Sequence, residues 1–152
     1  MKPLTYLAFD YGTQVIGVAV GRYPPGRAEG AGTVSGLARG PDWRMVEKLL
    51  MTWEPDILVV GLPLNMDGTD NEMTVAARRF GRRLDGRYHI PVYWVDERLT
   101  TASARDRVKA TGVPRGRRKA ALDTLAAITI LQAYFDDLPR TSLDHPRGPT
   151  HE

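Results

Sequence analysis

Apolar and polar residues alternate along residues 4–10, the two-residue period of a half-buried strand, and the apolar run 15–21, with Gly17 in it, predicts a second. "DYGT" between them reads as a tight turn. "AGTVSG" (31–36) predicts a short third strand, and the Pro- and Gly-rich "RYPPGRAEG" before it predicts a hairpin connection. The period then changes. From Pro41 to Trp53 the apolar residues Trp43, Val46, Leu49, Leu50 and Trp53 fall on one helical face, with Pro41 near the first turn. "DILVVG" (56–61) is a continuous apolar run, which fits a parallel strand buried on both faces. The loop "LPLNMDGTDNE" leads into an amphipathic helix over 71–86. There Met73, Ala76, Ala77, Phe80 and Leu84 face inward, while Arg78, Arg79, Arg82 and Arg83 lie largely away from that stripe. "PVYWVDE" (91–97) predicts another buried strand. Thr100 or Thr101 then caps a short helix ending near Thr111–Gly112, "VPRGRRK" forms a basic loop, and a last helix covers 119–136.

The resulting order is β-β-β-α-β-α-β-α-α. It predicts an α/β domain: a mixed five-stranded sheet, its first three strands antiparallel, with helices on both faces. One domain over residues 1–137 is expected, followed by a disordered tail, 138–152, containing three prolines.

Composition narrows the chemistry. The chain has no cysteine, which excludes disulfides and thiolate metal sites. Its histidines are His89, His145 and His151, too dispersed for a zinc cage or a histidine base. No apolar stretch has the length of a signal peptide or a membrane span, so a soluble cytoplasmic protein without membrane contact is expected. Charge is uneven. Residues 105–119 hold seven basic residues against Asp106, a net +6, so the rest of a chain totalling +3 carries −3. A basic segment on a mildly acidic body suits a polyanion held near carboxylates.

Carboxylates stand where core elements meet loops. Asp10 ends the first strand, Asp96 and Glu97 end the strand 91–97, and Asp123 shares a helical stripe with Ala127, Ile130 and Tyr134. Each has a structural reading as well: Asp10 shapes a turn, Asp96 and Glu97 precede a helix N-terminus, and Asp123 caps a helix. An inward-facing charge is costly unless paired or metal-bound. Converging carboxylates would therefore suit Mg²⁺ or Mn²⁺, and a pair of such ions can clamp the attacking and leaving oxygens of a phosphodiester. The basic loop, with Arg115, Arg117, Arg118 and Lys119, could grip phosphates or be a solvated connector. Thr13 and Asn65 offer phosphate contacts or cap their own loops, and Arg98 could bind phosphate or pair with an acid.

"FDYGTQVIGVAVG", "VVGLPLNMDGT", "VDERLTTASA" and "ALDTLAAITILQAYF" together resemble the YqgF family, also called RuvX, over about residues 4–136. Its members are described as Holliday-junction resolvases and as pre-16S ribosomal RNA nucleases, with an RNase H-like fold. The resemblance implies that Asp10, Glu97 and Asp123 form an acidic metal-binding triad, and it selects Glu97 over Asp96. It also implies dependence on Mg²⁺ or Mn²⁺ and a structured nucleic-acid substrate: precursor ribosomal RNA, or branched DNA cut by a homodimer. Family members commonly carry a basic residue where this chain has Gln14, which puts a phosphate contact there in question.

Two other classes compete. "DYGT" also resembles the phosphate-binding turn of actin-like ATPases and sugar kinases, but those need two related lobes and this chain has one. A non-catalytic RNA-binding assembly factor on a nuclease-like fold is the third reading; the presence of all three acids favours catalysis over it.

Overall fold

The computed structural model describes residues 2–99 and 118–140. Strands β1 (Leu4–Asp10), β2 (Val15–Tyr23) and β3 (Arg27–Leu37) form an antiparallel meander, and β4 (Gly40–Pro41) pairs with the end of β3. Helix α1 (Trp43–Trp53) leads to β5 (Ile57–Leu62), helix α2 (Glu72–Tyr88) to β6 (Val92–Asp96) and a 3₁₀ turn, Glu97–Leu99. Helix α3 (Arg118–Asp137) and a second 3₁₀ turn, Leu138–Arg140, follow. Strand order is β4-β3-β2-β1-β5-β6, with β1, β5 and β6 parallel.

Alternation along the strands divides the core in two. Leu7, Phe9, Val18, Val20, Leu58 and Val60 face α1 and α2, where they meet Val46, Phe80 and Leu84. Tyr6, Ala8, Ala19, Val59 and Val95 face α3, where they meet Ala127, Ile130, Tyr134 and Phe135. β5 is buried on both faces along its whole length, as a strand between two parallel neighbours must be.

The mixed α/β architecture, the antiparallel start and the helices on both faces agree with expectation. The sheet has six strands among the described residues rather than five. The sixth, β4, is two residues long and contains Pro41, which was expected in the helix; Asp42 caps α1 instead, its carboxylate accepting from the Arg44 amide at 3.1 Å. β3 starts four residues earlier than its apolar pattern suggests. Its opening stretch, "RAEG", shows no apolar alternation and is strand because it pairs with β2 beyond the Pro24–Pro25–Gly26 turn. Met73 and Trp53, expected inward, are 37% and 38% exposed. In α2 the buried positions are instead Thr74 and Gly81, alongside Ala77, Phe80 and Leu84. Leu138, placed in the tail by sequence, packs on the α3-side core. The helix expected from Thr100 or Thr101 to Gly112, and most of the tail, lie outside the described residues.

Candidate active site

β1 is the central strand of the meander–parallel junction, flanked by β2 and β5. Its last residue, Asp10, stands directly opposite Gly17 of β2. Directly opposed residues of an antiparallel pair project to the same face. For this pair that face is α3's: a Cβ on Gly17 would run into the Asp123 carbonyl oxygen. A bare backbone at residue 17 is thus what lets the first turns of α3 settle against the sheet and brings the Asp123 main chain beside the end of β1.

The other neighbour supplies the second acid. Phe9 pairs with Val60, so Gly61 is the next β5 residue beside Asp10. A Cβ on Gly61 would lie 3.0 Å from a Glu97 carboxylate oxygen and 2.5 Å from Ile130 Cδ1. Glu97 therefore folds over β5 toward β1, in the space that a glycine leaves open.

The electrostatics follow from that placement. Burial pushes the Asp10 carboxyl up to about 6. Glu97 is pushed up to about 7, by burial first and then by the Asp10 and Asp96 charges. Two half-buried carboxylates whose ionisation burial disfavours, one of them further by the charge of the other, are poised to take up positive charge. Asp96 behaves in the opposite way. Its carboxylate accepts Arg98 Nη2 at 2.6 Å and Nε at 3.0 Å, and these hydrogen bonds hold it below the usual range. Among the described residues no three acidic or imidazole side chains come together as a group that could hold a metal ion; the arrangement is an acid pair, Asp10 and Glu97, with the main chain of Asp123 on the adjoining helix beside Gly17.

Several residues singled out in the sequence have structural partners. Arg98 is committed to Asp96, and its Nη1 donates to the Met66 carbonyl at 3.1 Å, tying the 63–70 loop to the end of β6. Asn65 Nδ2 donates to Thr69 Oγ1 at 3.0 Å, and its Oδ1 accepts from Asn71 Nδ2 at 3.0 Å. Asn71 in turn caps α2 in a reciprocal box with Thr74. Asn65 thus shapes the loop that Arg98 ties to the end of β6. Thr13 is exposed on a turn pinned by the Gly36 amide, which donates to the Gln14 carbonyl at 2.8 Å. Arg118 and Lys119 begin α3, with side chains outside the described set, as are Arg115 and Arg117 entirely. Sequence reading missed Gly17 and Gly61. An isolated glycine inside an apolar strand is the signal for close approach, and both carry it.

The family profile described as "RuvX: Holliday junction resolvase" matches residues 4–137. A protein of Actinobacillus succinogenes named as a pre-16S rRNA nuclease is 45% identical over 136 residues, covering 90% of this chain and 97% of its own. One of the same name from Pseudomonas aeruginosa is 47% identical over 139 residues, covering 91% and 96%. Among solved structures, RuvC of Thermus thermophilus superposes with a TM-score of 0.52 at 15% identity, over 90% of this chain and 96% of that one. The same protein in complex with a Holliday junction substrate gives 0.51 at 16% identity, over 94% and 99%. These two likenesses show the fold.

Proposed function

Because this chain belongs to the RuvX family, matched over residues 4–137, we propose that it is a metal-dependent nuclease whose principal substrate is the precursor of 16S ribosomal RNA. The observation that carries the reading is the Asp10–Glu97 pair, two half-buried carboxylates at the end of β1 and just past the end of β6, on the α3 side of the intervening β5, with the Asp10 charge adding to the burial that raises Glu97. Relatives named as pre-16S rRNA nucleases match almost the whole length of the chain at 45–47% identity, which favours RNA maturation. The family description favours a second reading, resolution of branched DNA. That chemistry calls for two related cuts and hence a two-fold dimer.

The donor set fits Mg²⁺ or Mn²⁺. It is all oxygen, it is anionic, and burial has raised its proton affinity, so a hard divalent cation relieves repulsion that protons otherwise relieve. Asp10 and Glu97, joined by Asp123, would hold the metal, taken to be two ions. Bound there, divalent metal lowers the pKa of a water nucleophile and offsets charge on the leaving oxygen. The protein's own residues do the rest. Gly17 and Gly61 set the spacing of the acids by letting α3 and Glu97 close on the sheet. Arg98 neutralises Asp96, so the one strand-end acid outside the triad does not compete for cation. The basic residues from Arg115 to Lys119, which run in sequence into the start of α3, would meet a phosphate backbone; Thr13 is exposed on the turn between β1 and β2.

The test is cleavage of a 16S precursor beside a synthetic four-way junction, at one salt concentration, with Mg²⁺ and then Mn²⁺, alongside the protein's mass in solution. Faster turnover of the precursor, lost in Asp10→Asn and Asp123→Asn while binding persists, supports the reading. A stable dimer that nicks the junction symmetrically and leaves the precursor intact reverses it. Full cleavage by Asp10→Asn removes the triad.

A further inference from the structure

The outer side of α2 lies across the sheet from the acids and is rich in arginine. There Arg39, Arg79 and Arg83 converge with Tyr11, Pro41 and Phe80 on a cavity of about 240 Å³. No acid lines it, and among the described residues none of these three guanidiniums has an ion-pair partner. The contrast with the residue before Arg79 is direct: Arg78 Nε sits 3.2 Å from Asp70 Oδ2. Asp42, beside Pro41, is occupied in capping α1. Arg79 and Arg83 are four apart on one helix, a spacing at which like charges repel and destabilise the helix. Arg83 Nη1 lies above the bare backbone of Gly40, 3.7 Å from where a Cβ would stand, at a residue whose φ of +121° favours glycine. The floor is aromatic, Tyr11 and Phe80 packing with ring centroids 5.3 Å apart.

We propose that this pocket seats a backbone phosphate of the same nucleic-acid strand that the acids cut, a flanking phosphate rather than the scissile one. The inference rests on the nuclease reading above. Three unneutralised guanidiniums around one small polar cavity match the donor geometry of a phosphate, which accepts several forked N–H bonds at once. The position supplies the link to the acids. Asp10 and Tyr11 are consecutive, about 3.8 Å apart at Cα. Asp10 belongs to the α3 side and Tyr11 packs on the α2 side. The end of β1 is therefore a wall shared by the two sites. A strand that crosses it reaches the arginines next.

Binding is read by fluorescence anisotropy in EDTA, so that cleavage plays no part. The probes are a labelled single-stranded 16S-precursor fragment and a labelled four-way junction, each across a salt series. Inorganic phosphate and adenosine 5′-monophosphate serve as small-ligand probes. Arg79→Ala/Arg83→Ala is expected to weaken strand binding about ten-fold, the effect of removing one charge-assisted phosphate interaction. The log–log salt slope should fall in magnitude by about one, with a melting temperature equal to or above wild type. Arg44→Ala/Lys48→Ala, on the far side of α1, removes the same charge and should leave the slope near wild type. Wild-type affinity and slope in the α2 variant overturn the proposal, as does an equal loss in the α1 control. Tight, Arg79- and Arg83-dependent binding of either small ligand with unchanged strand affinity also overturns it, and makes this a small-anion site. Wild-type protein that binds neither strand overturns the nuclease reading itself.

Discussion

Asp10→Asn removes one negative charge from a half-buried position at almost no change in shape. In the metal-free protein it should stabilise the fold, and the pH dependence of that gain is the diagnostic. The Asp10 carboxyl goes from 3.8 to about 6 on folding, because burial penalises the ion. At about 1.4 kcal/mol per unit this is roughly 3 kcal/mol for a fully shielded group, and about 2 kcal/mol once residual solvent contact is allowed for. The sign follows from proton binding. Between about pH 4 and pH 6 the folded state holds a proton that the unfolded state has released, so wild-type stability falls as pH rises through that window. Glu97, shifted up from 4.5 to about 7, extends the fall in the same direction, and loss of the Asp10 charge relieves it in part. The variant lacks the Asp10 contribution. Its advantage should be near zero at about pH 4, where wild-type Asp10 is neutral, and should plateau near 2 kcal/mol above about pH 7. For a chain of this length that is about 4–8 °C in Tm. Urea unfolding of both proteins in EDTA at several pH values gives the curve directly. Millimolar Mg²⁺ or Mn²⁺ should then stabilise wild type more than the variant and close the gap. A gain that is the same at low and high pH, or a loss at high pH, refutes the charge argument.

Gly17→Ala would put a methyl into the Asp123 carbonyl; since both partners are backbone, α3 must lift, with a stability loss of about 1–3 kcal/mol by urea unfolding and loss of cleavage beyond what that explains. Wild-type stability and turnover in that variant would mean that α3 does not bear on the sheet at residue 17. Changing Arg115, Arg117 and Arg118 to Ala should reduce the magnitude of the salt slope of strand binding by about 0.7–0.9 for each phosphate no longer neutralised; an unchanged slope makes the segment a connector. Arg98→Ala frees Asp96 and cuts the tie to the Met66 carbonyl, so backbone amides of the 63–70 loop should exchange faster with solvent, while those of β5 should not.

The legible parts of this fold are those where one period runs unbroken. β5 is all apolar and buried on both sides, and Ala127, Ile130 and Tyr134 fall on a single α3 stripe, so either could be read without knowing its partners. β4 and the start of β3 could not. Gly40–Pro41 and "RAEG" contain no apolar period, and their strand state exists only through hydrogen bonds to neighbours. The arginine pocket was hidden for a related reason. Arg39 belongs to the β3–β4 turn and Arg79 and Arg83 to α2, and only tertiary packing joins them.

The acids occupy a middle ground, and the two-residue period decides between them. In β1, Tyr6 and Ala8 face α3, so Asp10 does as well. In β6, Tyr93 and Val95 face α3 while Val92 and Trp94 face α2. Counting on, Glu97 falls on the α3 side and Asp96 on the other. That parity separates two adjacent carboxylates whose spacing in sequence says nothing. It places one over Gly61 within the field of Asp10 and turns the other outward to Arg98. The same count sends Tyr11 away from Asp10 and into the arginine pocket. A single strand end thus presents an acid to one face and an aromatic wall to the other. Had β1 been shifted by one residue against β2, both would have exchanged faces, and neither the acid pair nor the pocket would exist.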